Sequence, residues 1–275
     1  MKCQWRSLLS VLPQWMRTDL PAGAEWTLDE IRMRLGSSVC YRMRSGVKFG
    51  TGTVSQEDLN FCINAASRYS PWASTGISRG FVAISGGHRI GICGETVIQK
   101  GMVTGIRNVT SLCIRVARDY DGIAASAKSL QGSILIIGPP GSGKTTFLRD
   151  LIRNIGKTKF VAVLDERGEL FPDRVCEDAQ VDVLSGCDKK QGIEMVLRTM
   201  GPDYIAVDEI TAEEDCEALL RAGWCGVNLL ATAHASDVDD LTHRPIYTSV
   251  TQKQLFDHIL VLRRDRSYYE GRVRI

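Results

Sequence analysis

The 275-residue sequence predicts an α/β protein, in which a mostly parallel, helix-covered sheet follows a smaller α+β domain. At about 150 residues per domain, the length corresponds to just under two domains. From residue 133 onward, short apolar segments alternate with helix-like segments, and a glycine-rich loop separates the first such pair. We therefore expect domains at 1–128 and 129–275, with a polar linker at 119–129.

The first domain is predicted to mix helices with short strands. Residues 26–35 fit a helix, because a threonine begins the segment, a glutamate follows three residues later as in a capping box, and a glycine ends it. Apolar residues at helical spacing predict a second helix at 56–69. Short apolar segments separated by glycine turns predict strands at 81–84, 89–93 and 112–116.

The second domain is predicted to alternate strands with helices. Its strands are expected at 133–137, 160–164, 204–207, 228–232 and 259–262. Its helices are expected at 145–155, 189–200 and 213–222. This order is typical of βα units, whose parallel strands place their carboxyl ends along one edge of the sheet.

Composition limits the classes of protein to consider. Lys and Arg number 34 against 32 Asp and Glu, a net charge of +2, which argues against nucleic acid as a partner because such proteins are strongly basic. The nine cysteines form no CxxC pair, which argues against zinc ribbons and indicates a reducing compartment. Because no segment approaches the ~18 apolar residues of a spanning helix, we expect a cytoplasmic protein. Residues 5–15 are expected to be able to dock on a membrane as a short amphipathic helix.

Residues 138–145, GPPGSGKT, match the phosphate-binding pattern GxxxxGK[ST] between a predicted strand and a predicted helix. Glycines allow backbone N–H groups to approach phosphate oxygens, and the following helix adds the positive end of its dipole. Lys144 supplies an ammonium group for the β- and γ-phosphates, and the Thr145 hydroxyl is a candidate Mg²⁺ ligand. The candidate nucleotide-binding residues are Gly138, Pro139, Pro140, Gly141, Ser142, Gly143, Lys144, Thr145 and Thr146.

Two predicted strands end in pairs of carboxylates. Asp208 follows one strand and is a candidate Mg²⁺ ligand, and Glu209 beside it is a candidate general base for the attacking water. Asp165 and Glu166 follow another strand and have two interpretations. Either they polarise water or hold Mg²⁺ as catalytic residues, or they are an ordinary strand end paired with the arginine that follows.

Thr232 and His234 lie on the same side of a further predicted strand, because side chains two residues apart share a face. Polar groups at the end of a strand beside the phosphate loop are placed to sense the γ-phosphate. His234 is therefore a candidate catalytic residue. The sequence lacks the NKxD pattern that reads guanine, which favours ATP over GTP.

Segments from both halves resemble known families. In the second half, GPPGSGKTT, VLDERGE, LRTMGPDYIAVDEI and LLATAHA resemble the P-loop, aspartate box, Walker B and histidine box of the traffic ATPases of type II and type IV secretion. In the first half, GGHRIGICG and SLCIRVAR resemble the stage III sporulation protein AA family. The resemblance extends over almost the whole chain, and these first-half segments are more specific than the P-loop.

The resemblance implies a RecA-like P-loop ATPase core that binds ATP and Mg²⁺, with the smaller domain over the nucleotide. It also implies a homo-hexameric ring in the mother-cell cytoplasm, associated peripherally with the membrane through the membrane proteins of a mother cell–forespore channel. Arginines of the first domain approach the phosphates in such ATPases, and by position Arg107 and Arg115 are the candidates here. Asp208 is a departure, because the secretion motors commonly carry glycine at that position.

Two alternatives to the channel ATPase follow from the residues. A nucleic-acid-dependent motor would use basic residues of the first domain, with Tyr41 and Phe49 available to stack on bases. These basic residues are Arg32, Arg34, Arg42, Arg44 and Lys48. A nucleotide-gated scaffold would bind ATP with negligible hydrolysis.

Overall fold

The computed structural model describes residues 3–67, 80–118, 120–172, 176, 179–265 and 267–272. The chain divides into two compact units, Met1–Asp119 and Tyr120–Ile275. We call the first the N-terminal unit and the second the P-loop unit. The boundary expected from the sequence, after residue 128, falls within the P-loop unit. Ala124 and Ala127, which precede that boundary, are buried in a core cluster of this unit.

An antiparallel sheet forms the centre of the N-terminal unit. Its strands are β1 (Leu28–Arg34), β2 (Ser38–Met43), β3 (Gly46–Thr53), β4 (Phe81–Ala83), β5 (Arg89–Gln99) and β6 (Met102–Arg115). Its helices are α1 (Trp5–Ser10), α2 (Gln14–Asp19), α3 (Ala24–Thr27) and α4 (Gln56–Ala66). Among the described residues, the six strands lie in the order β3-β2-β1-β6-β5-β4.

The prediction of a helix at residues 26–35 is wrong. The short helix α3 ends at Thr27, and β1 follows it, paired antiparallel with β2 and β6. Along β1, Ile31 and Met33 are buried, whereas the arginines on either side of Met33 are exposed. This period of two fits a strand with one buried face, and pairing with two neighbouring strands outweighs the local helix signal.

The other predicted elements of this unit are confirmed where the structure describes them. α4 begins after Ser55, whose hydroxyl accepts from the N–H of Asp58, and the Asp58 carboxylate accepts from the N–H of Ser55 at 2.8 Å. The predicted end of this helix at Tyr69 lies outside the described residues. The strands predicted at 89–93 and 112–116 are parts of β5 and β6, which pair over a greater length.

The glycine–histidine turn before β5 has a structural role. Gly86 and Gly87 both have a φ of +81°, a conformation that favours glycine. His88 is fully buried. Its Nδ1 accepts from the N–H of Ala117 at 3.0 Å, and its Nε2 lies 3.1 Å from the carbonyl oxygen of Gln4. The turn therefore links the first residues of the chain to the end of β6.

The N-terminal helices belong to the core of their unit. Leu8, Leu12 and Met16 have no exposed surface, and they share a buried cluster with residues of the strands. Within residues 5–15, Leu8, Val11 and Leu12 are buried, whereas Trp5, Leu9 and Trp15 are only partly buried. Docking of this segment on a membrane stays a prediction. No helix among the described residues combines the length and apolarity needed to cross a bilayer.

A second sheet forms the centre of the P-loop unit. Its strands are β7 (Ile134–Ile137), β8 (Val161–Asp165), β9 (Val181–Ser185), β10 (Tyr204–Val207), β11 (Asn228–Ala233), β12 (His258–Leu262) and β13 (Tyr268–Gly271). Its helices are α5 (Lys144–Ile155), α6 (Lys189–Thr199), α7 (Glu213–Trp224), α8 (Val238–His243) and α9 (Thr248–Gln252). In the part of this unit that the structure describes, the order is β13-β12-β7-β11-β10-β8-β9, and only β12 and β13 pair antiparallel.

The predicted mostly parallel, helix-covered sheet is confirmed. Every residue of β7, β8 and β10 is buried, as expected for parallel strands covered on both faces. Leu135 and Ile137 belong to one apolar cluster, and Ile134 and Ile136 to another, so both faces of β7 are packed. Because β7, β11, β10 and β8 are parallel neighbours, the residues that follow them meet at one edge of the sheet.

Replacing Leu8 by alanine is expected to lower the free energy of unfolding by about 2–5 kcal/mol, because the change removes buried apolar contacts and leaves a cavity. Chemical denaturation followed by circular dichroism measures the effect. Leu35→Ala is the control, since Leu35 is 45% exposed and its loss should change stability little. Equal stability of Leu8→Ala and the unmodified protein would show that α1 does not contribute to the core.

Candidate nucleotide-binding site

The loop between β7 and α5 requires its glycines. Gly141 and Gly143 have φ values of +78° and +95°, which residues with a side chain rarely adopt. At Gly138, a Cβ atom would lie 2.6 Å from the carbonyl oxygen of Leu262 and 2.7 Å from Ser142 Oγ. Backbone conformation thus explains two glycines of the motif, and close packing explains the third.

This loop borders an open pocket of about 340 Å³ at the carboxyl edge of the sheet. The start of α5 and the residues at the ends of β10 and β11 complete its walls. The lining residues are Gly141, Gly143, Lys144, Thr145, Thr146, Asp208, Glu209, Thr232 and His234. The structure therefore brings the P-loop, the Asp208–Glu209 pair and His234 together, although they are far apart in the sequence.

The Lys144 side chain is buried against the loop that precedes it. Its Nζ donates to the carbonyl oxygens of Gly138 at 2.9 Å and Pro139 at 3.2 Å, and it lies 3.1 Å from His234 Nδ1. Burial lowers the pKa of Lys144, and two nearby carboxylates oppose this shift. The ammonium group is thus held at the loop that the sequence predicts to bind phosphate.

Asp208 lies between two threonine hydroxyls. Thr145 Oγ1 donates to Asp208 Oδ2 at 2.9 Å, and Thr232 Oγ1 donates to Asp208 Oδ1 at 2.7 Å. Burial raises the pKa of Asp208, and these two hydrogen bonds counteract part of the rise. The two residues that the sequence suggests as Mg²⁺ ligands are therefore in direct contact.

Glu209 has an unusual backbone conformation and different partners. Its φ is +56°, in the left-handed region that favours glycine. Its N–H donates to Thr232 Oγ1 at 2.7 Å. Its Oε1 lies 3.0 Å from His234 Nε2, and its Oε2 accepts from Arg167 Nη1 at 3.0 Å. Both carboxylate oxygens of Glu209 are therefore engaged by neighbouring side chains.

His234 connects Lys144 with Glu209. An ammonium group can only donate, so Nδ1 of His234 accepts from Lys144, and Nε2 carries the hydrogen that faces Glu209. The ring therefore lies between the side chain of Lys144 and the carboxylate of Glu209. A ligand that draws Lys144 away from His234 would also change the contact of His234 with Glu209.

The carboxylate pair at the end of β8 has a different arrangement. Asp165 is 2% exposed, and its two oxygens accept from the N–H groups of Glu169 at 2.7 Å and Phe171 at 2.8 Å. Glu166 contacts the buried Lys189 at 3.0 Å. Asp165 thus holds the turn after β8, which favours a structural role over a catalytic one for this residue.

Comparison with known proteins identifies the family. A family profile described as "Sporulation stage III, protein AA" matches residues 14–274. The chain belongs to this family. It is 33% identical over 278 residues to Stage III sporulation protein AA of Bacillus subtilis strain 168, and the alignment covers 94% of this chain and 90% of that protein. The resemblance predicted from the first-half segments is confirmed.

Two solved structures show how the fold of this stage III sporulation protein AA family member relates to others. The Legionella pneumophila ATPase DotB superposes with a TM-score of 0.58 at 19% identity, over 94% of this chain and 79% of DotB. The pilus retraction motor PilT with bound ADP superposes with a TM-score of 0.61 at 16% identity, over 91% of this chain and 77% of PilT. These likenesses confirm the predicted fold, an α/β RecA-like core.

In this family member, the two arginines predicted to reach the phosphates lie on β6 of the N-terminal unit. Arg107 Nε donates to Glu95 at 3.1 Å, and both side chains are mostly exposed. Arg115, the last residue of β6, is also exposed. Their approach to a nucleotide stays a prediction. Arg118, the second arginine of the IRVAR segment, instead donates to main-chain carbonyl oxygens of α3 and β1.

Two cations that contact strand-end carboxylates were not assigned to the site from the sequence. Arg167 follows β8, and its guanidinium reaches Glu209 after β10. Lys189, the first residue of α6, contacts Glu166 at 3.0 Å and Asp215 at 3.5 Å. The sequence holds no signal for the contact of Arg167 with Glu209, because the contact depends on β8 and β10 being neighbours in the sheet.

In the absence of nucleotide and divalent cation, Asp208→Asn is expected to raise the stability of the protein against unfolding. The reason is that folding withdraws the ionised carboxylate of Asp208 from water. An aspartate whose pKa is raised by folding reduces stability at pH values above its folded pKa, and this cost disappears below its unfolded pKa of about 3.9. The gain should therefore be present near pH 8 and fade toward about pH 4. Thermal unfolding with a chelator measures it.

Asp240→Asn is a control with the opposite sign. Hydrogen bonds from Arg244 and Ser236 lower the pKa of Asp240 to about 2. Loss of this charge should therefore reduce stability at neutral pH, and the reduction should fade as the pH falls toward about 2. A destabilised Asp208→Asn variant near pH 8 would contradict the burial cost at Asp208.

Proposed function

We propose that this protein is a Mg²⁺-dependent ATPase that hydrolyses ATP to ADP and phosphate. The observation that carries the proposal is the convergence of Lys144, Thr145, Asp208, Glu209 and His234 around one pocket. A phosphate loop beside a metal-binding aspartate and a water-orienting residue is the arrangement of P-loop hydrolases. The likeness of the fold to DotB, an ATPase, and to PilT, a motor with bound ADP, supports it.

The donor set around Asp208 fits Mg²⁺. Magnesium prefers hard oxygen ligands, and the Thr145 hydroxyl and the Asp208 carboxylate lie 2.9 Å apart. A bound cation would favour the ionised form of Asp208, which burial otherwise disfavours. When bound, Mg²⁺ would neutralise negative charge on the β- and γ-phosphates.

Hydrolysis requires Glu209 to exchange its contacts. Both of its carboxylate oxygens are engaged in the structure, by His234 and Arg167. Once released, Glu209 would accept a proton from water while the water oxygen attacks the γ-phosphorus and the bond to the β–γ bridging oxygen breaks. Lys144 bound to phosphate would leave His234 available for the γ-phosphate. The γ-phosphate would thereby promote the release of the base that acts on it.

We propose further that the subunits form a homo-hexameric ring in the mother-cell cytoplasm. The ring would associate peripherally with membrane proteins of a mother cell–forespore channel and power or assemble that channel. Membership of the stage III sporulation protein AA family supports the link to sporulation. The fold shared with DotB and PilT supports a secretion-type ATPase.

The nucleic-acid alternative loses part of its basis. Tyr41 is fully buried, so the expectation that it stacks on bases is wrong. Arg32 contacts Glu30, which offsets part of the positive charge of the same sheet face. Phe49 is 71% exposed, but a single aromatic ring is a weaker platform than the paired rings expected from the sequence. We therefore retain the channel ATPase as the proposed function.

Glu209→Gln is expected to bind ATP with nearly unchanged affinity and to lower turnover by about 10²–10⁴-fold, because the amide cannot accept the proton of the attacking water. Phosphate release measures turnover, and titration with a fluorescent ATP analogue measures binding. Glu217→Gln, at an exposed glutamate of α7, is the matched control. Unchanged turnover in Glu209→Gln would remove Glu209 from catalysis. No turnover in the assembled, unmodified protein would favour the nucleotide-gated scaffold.

Arg115→Ala is expected to lower turnover of the assembled protein by about 10³-fold, as for arginines that stabilise charge on a transferred phosphoryl group. The matched control is Arg34→Ala, an exposed arginine on the neighbouring strand β1. Phosphate release at saturating ATP measures both variants. If Arg115→Ala and Arg34→Ala turn over ATP at the same rate, Arg115 does not reach the phosphates.

A further inference from the structure

Thr232 makes two hydrogen bonds with its hydroxyl at the end of β11, where 1% of its surface is exposed. The hydroxyl donates to Asp208 Oδ1 at 2.7 Å, and its oxygen accepts the N–H of Glu209, also at 2.7 Å. The main-chain oxygen of Thr232 accepts the N–H of Ile210 at 2.8 Å. One residue therefore holds three consecutive residues of the turn after β10.

The backbone at Glu209 depends on such a partner. A φ of +56° is disfavoured for residues that carry a Cβ atom. A main-chain N–H at the edge of a buried sheet also needs an acceptor, and the Thr232 oxygen supplies it. The hydroxyl thus stabilises the strained turn. In this turn the Glu209 carboxylate faces His234 and Arg167, and the Asp208 carboxylate faces Thr145 of the P-loop.

We propose that Thr232 is a positioning residue for hydrolysis, which fixes the backbone of the general base Glu209 and couples it to the candidate metal ligand Asp208. The inference rests on the proposed ATPase function. A hydroxyl has one hydrogen, so its donation to Asp208 leaves the oxygen lone pairs for the Glu209 N–H. A shift of the Asp208 carboxylate therefore moves the group that holds Glu209.

This role differs from the γ-phosphate sensor that the strand position suggests. In the structure, the Thr232 hydroxyl is directed at Asp208 and at the backbone of Glu209. His234, two residues further on, contacts the carboxylate of Glu209 instead. Thr232 therefore holds the backbone of Glu209, whereas His234 makes the side-chain contact that hydrolysis must break. Thr232 acts through Glu209 rather than on the nucleotide.

Thr232→Val tests the proposal, because valine keeps the branched shape and replaces the hydroxyl by a methyl group that can neither donate nor accept. We expect kcat to fall by about 100-fold, as for a misplaced catalytic group, with the affinity for a fluorescent ATP analogue unchanged. Thr232→Ser restores the hydroxyl and should restore most of the turnover. Thr251→Val is the control, since it removes a hydroxyl that donates to main-chain oxygens of α9 and its preceding turn, away from the pocket.

A double-mutant cycle separates this role from a merely structural one. If Thr232 acts through Glu209, Thr232→Val should lower the residual rate of Glu209→Gln much less than it lowers the rate of the unmodified protein. Thermal unfolding of each variant reports the folded fraction, to which rates are normalised. A loss of stability without a change in normalised kcat would overturn the proposal.

Other outcomes are equally decisive. Equal losses of rate in the Glu209→Gln and unmodified backgrounds would show that Thr232 acts independently of Glu209. If the valine variant and a Thr232→Ala variant both fail to bind nucleotide while the serine variant binds it, the hydroxyl builds the binding site, and the positioning role is wrong. An inactive, assembled, unmodified protein would instead overturn the proposed ATPase function, which distinguishes the two failures.

Discussion

The partly buried carboxylate of Asp208 is the point at which three elements of the P-loop unit are joined. It follows β10 and accepts hydrogen bonds from Thr145 on α5 and Thr232 on β11. Withdrawal of a carboxylate from water is costly, and donors from two neighbouring elements offset part of the cost. The P-loop helix and two strands therefore meet at a single charged group, which lines the same pocket as Lys144 and Glu209.

Much of this site could be predicted because a parallel sheet buries apolar residues within its strands and leaves polar residues at the strand ends. The buried strands are continuous apolar segments, so the first polar residues after each strand must lie at the edge, as Asp208 and Glu209 do after β10. Strand order could not be read from the sequence, and it is strand order that brings Arg167 to Glu209. The positive φ of Glu209 and its bond to Thr232 are likewise tertiary features that spacing does not reveal.

The N-terminal unit was harder to predict, for a physical reason. Its antiparallel strands are specified by partners distant in the sequence, so a local capping-box pattern indicated a helix where β1 pairs with β2 and β6. β3 was missed because it is an edge strand whose residues are mostly exposed, which leaves no alternation of apolar and polar residues to detect. The edge strand β9 was missed as well, and its residues are only partly buried.

The aspartate at position 208 also has a consequence for nucleotide binding. A glycine at this position could neither accept from Thr145 and Thr232 nor offer a carboxylate to a cation. Asp208 accepts both hydrogen bonds, and in the proposed ATPase it would also bind a cation that offsets the cost of burying its charge. Binding of Mg²⁺ with ATP should then stabilise the P-loop unit by removing this cost, since a ligand that binds only the folded state raises its stability. In the proposed mechanism, the hydrogen bonds of Thr232 would transmit the same event to Glu209, and metal binding and positioning of the base would then be coupled.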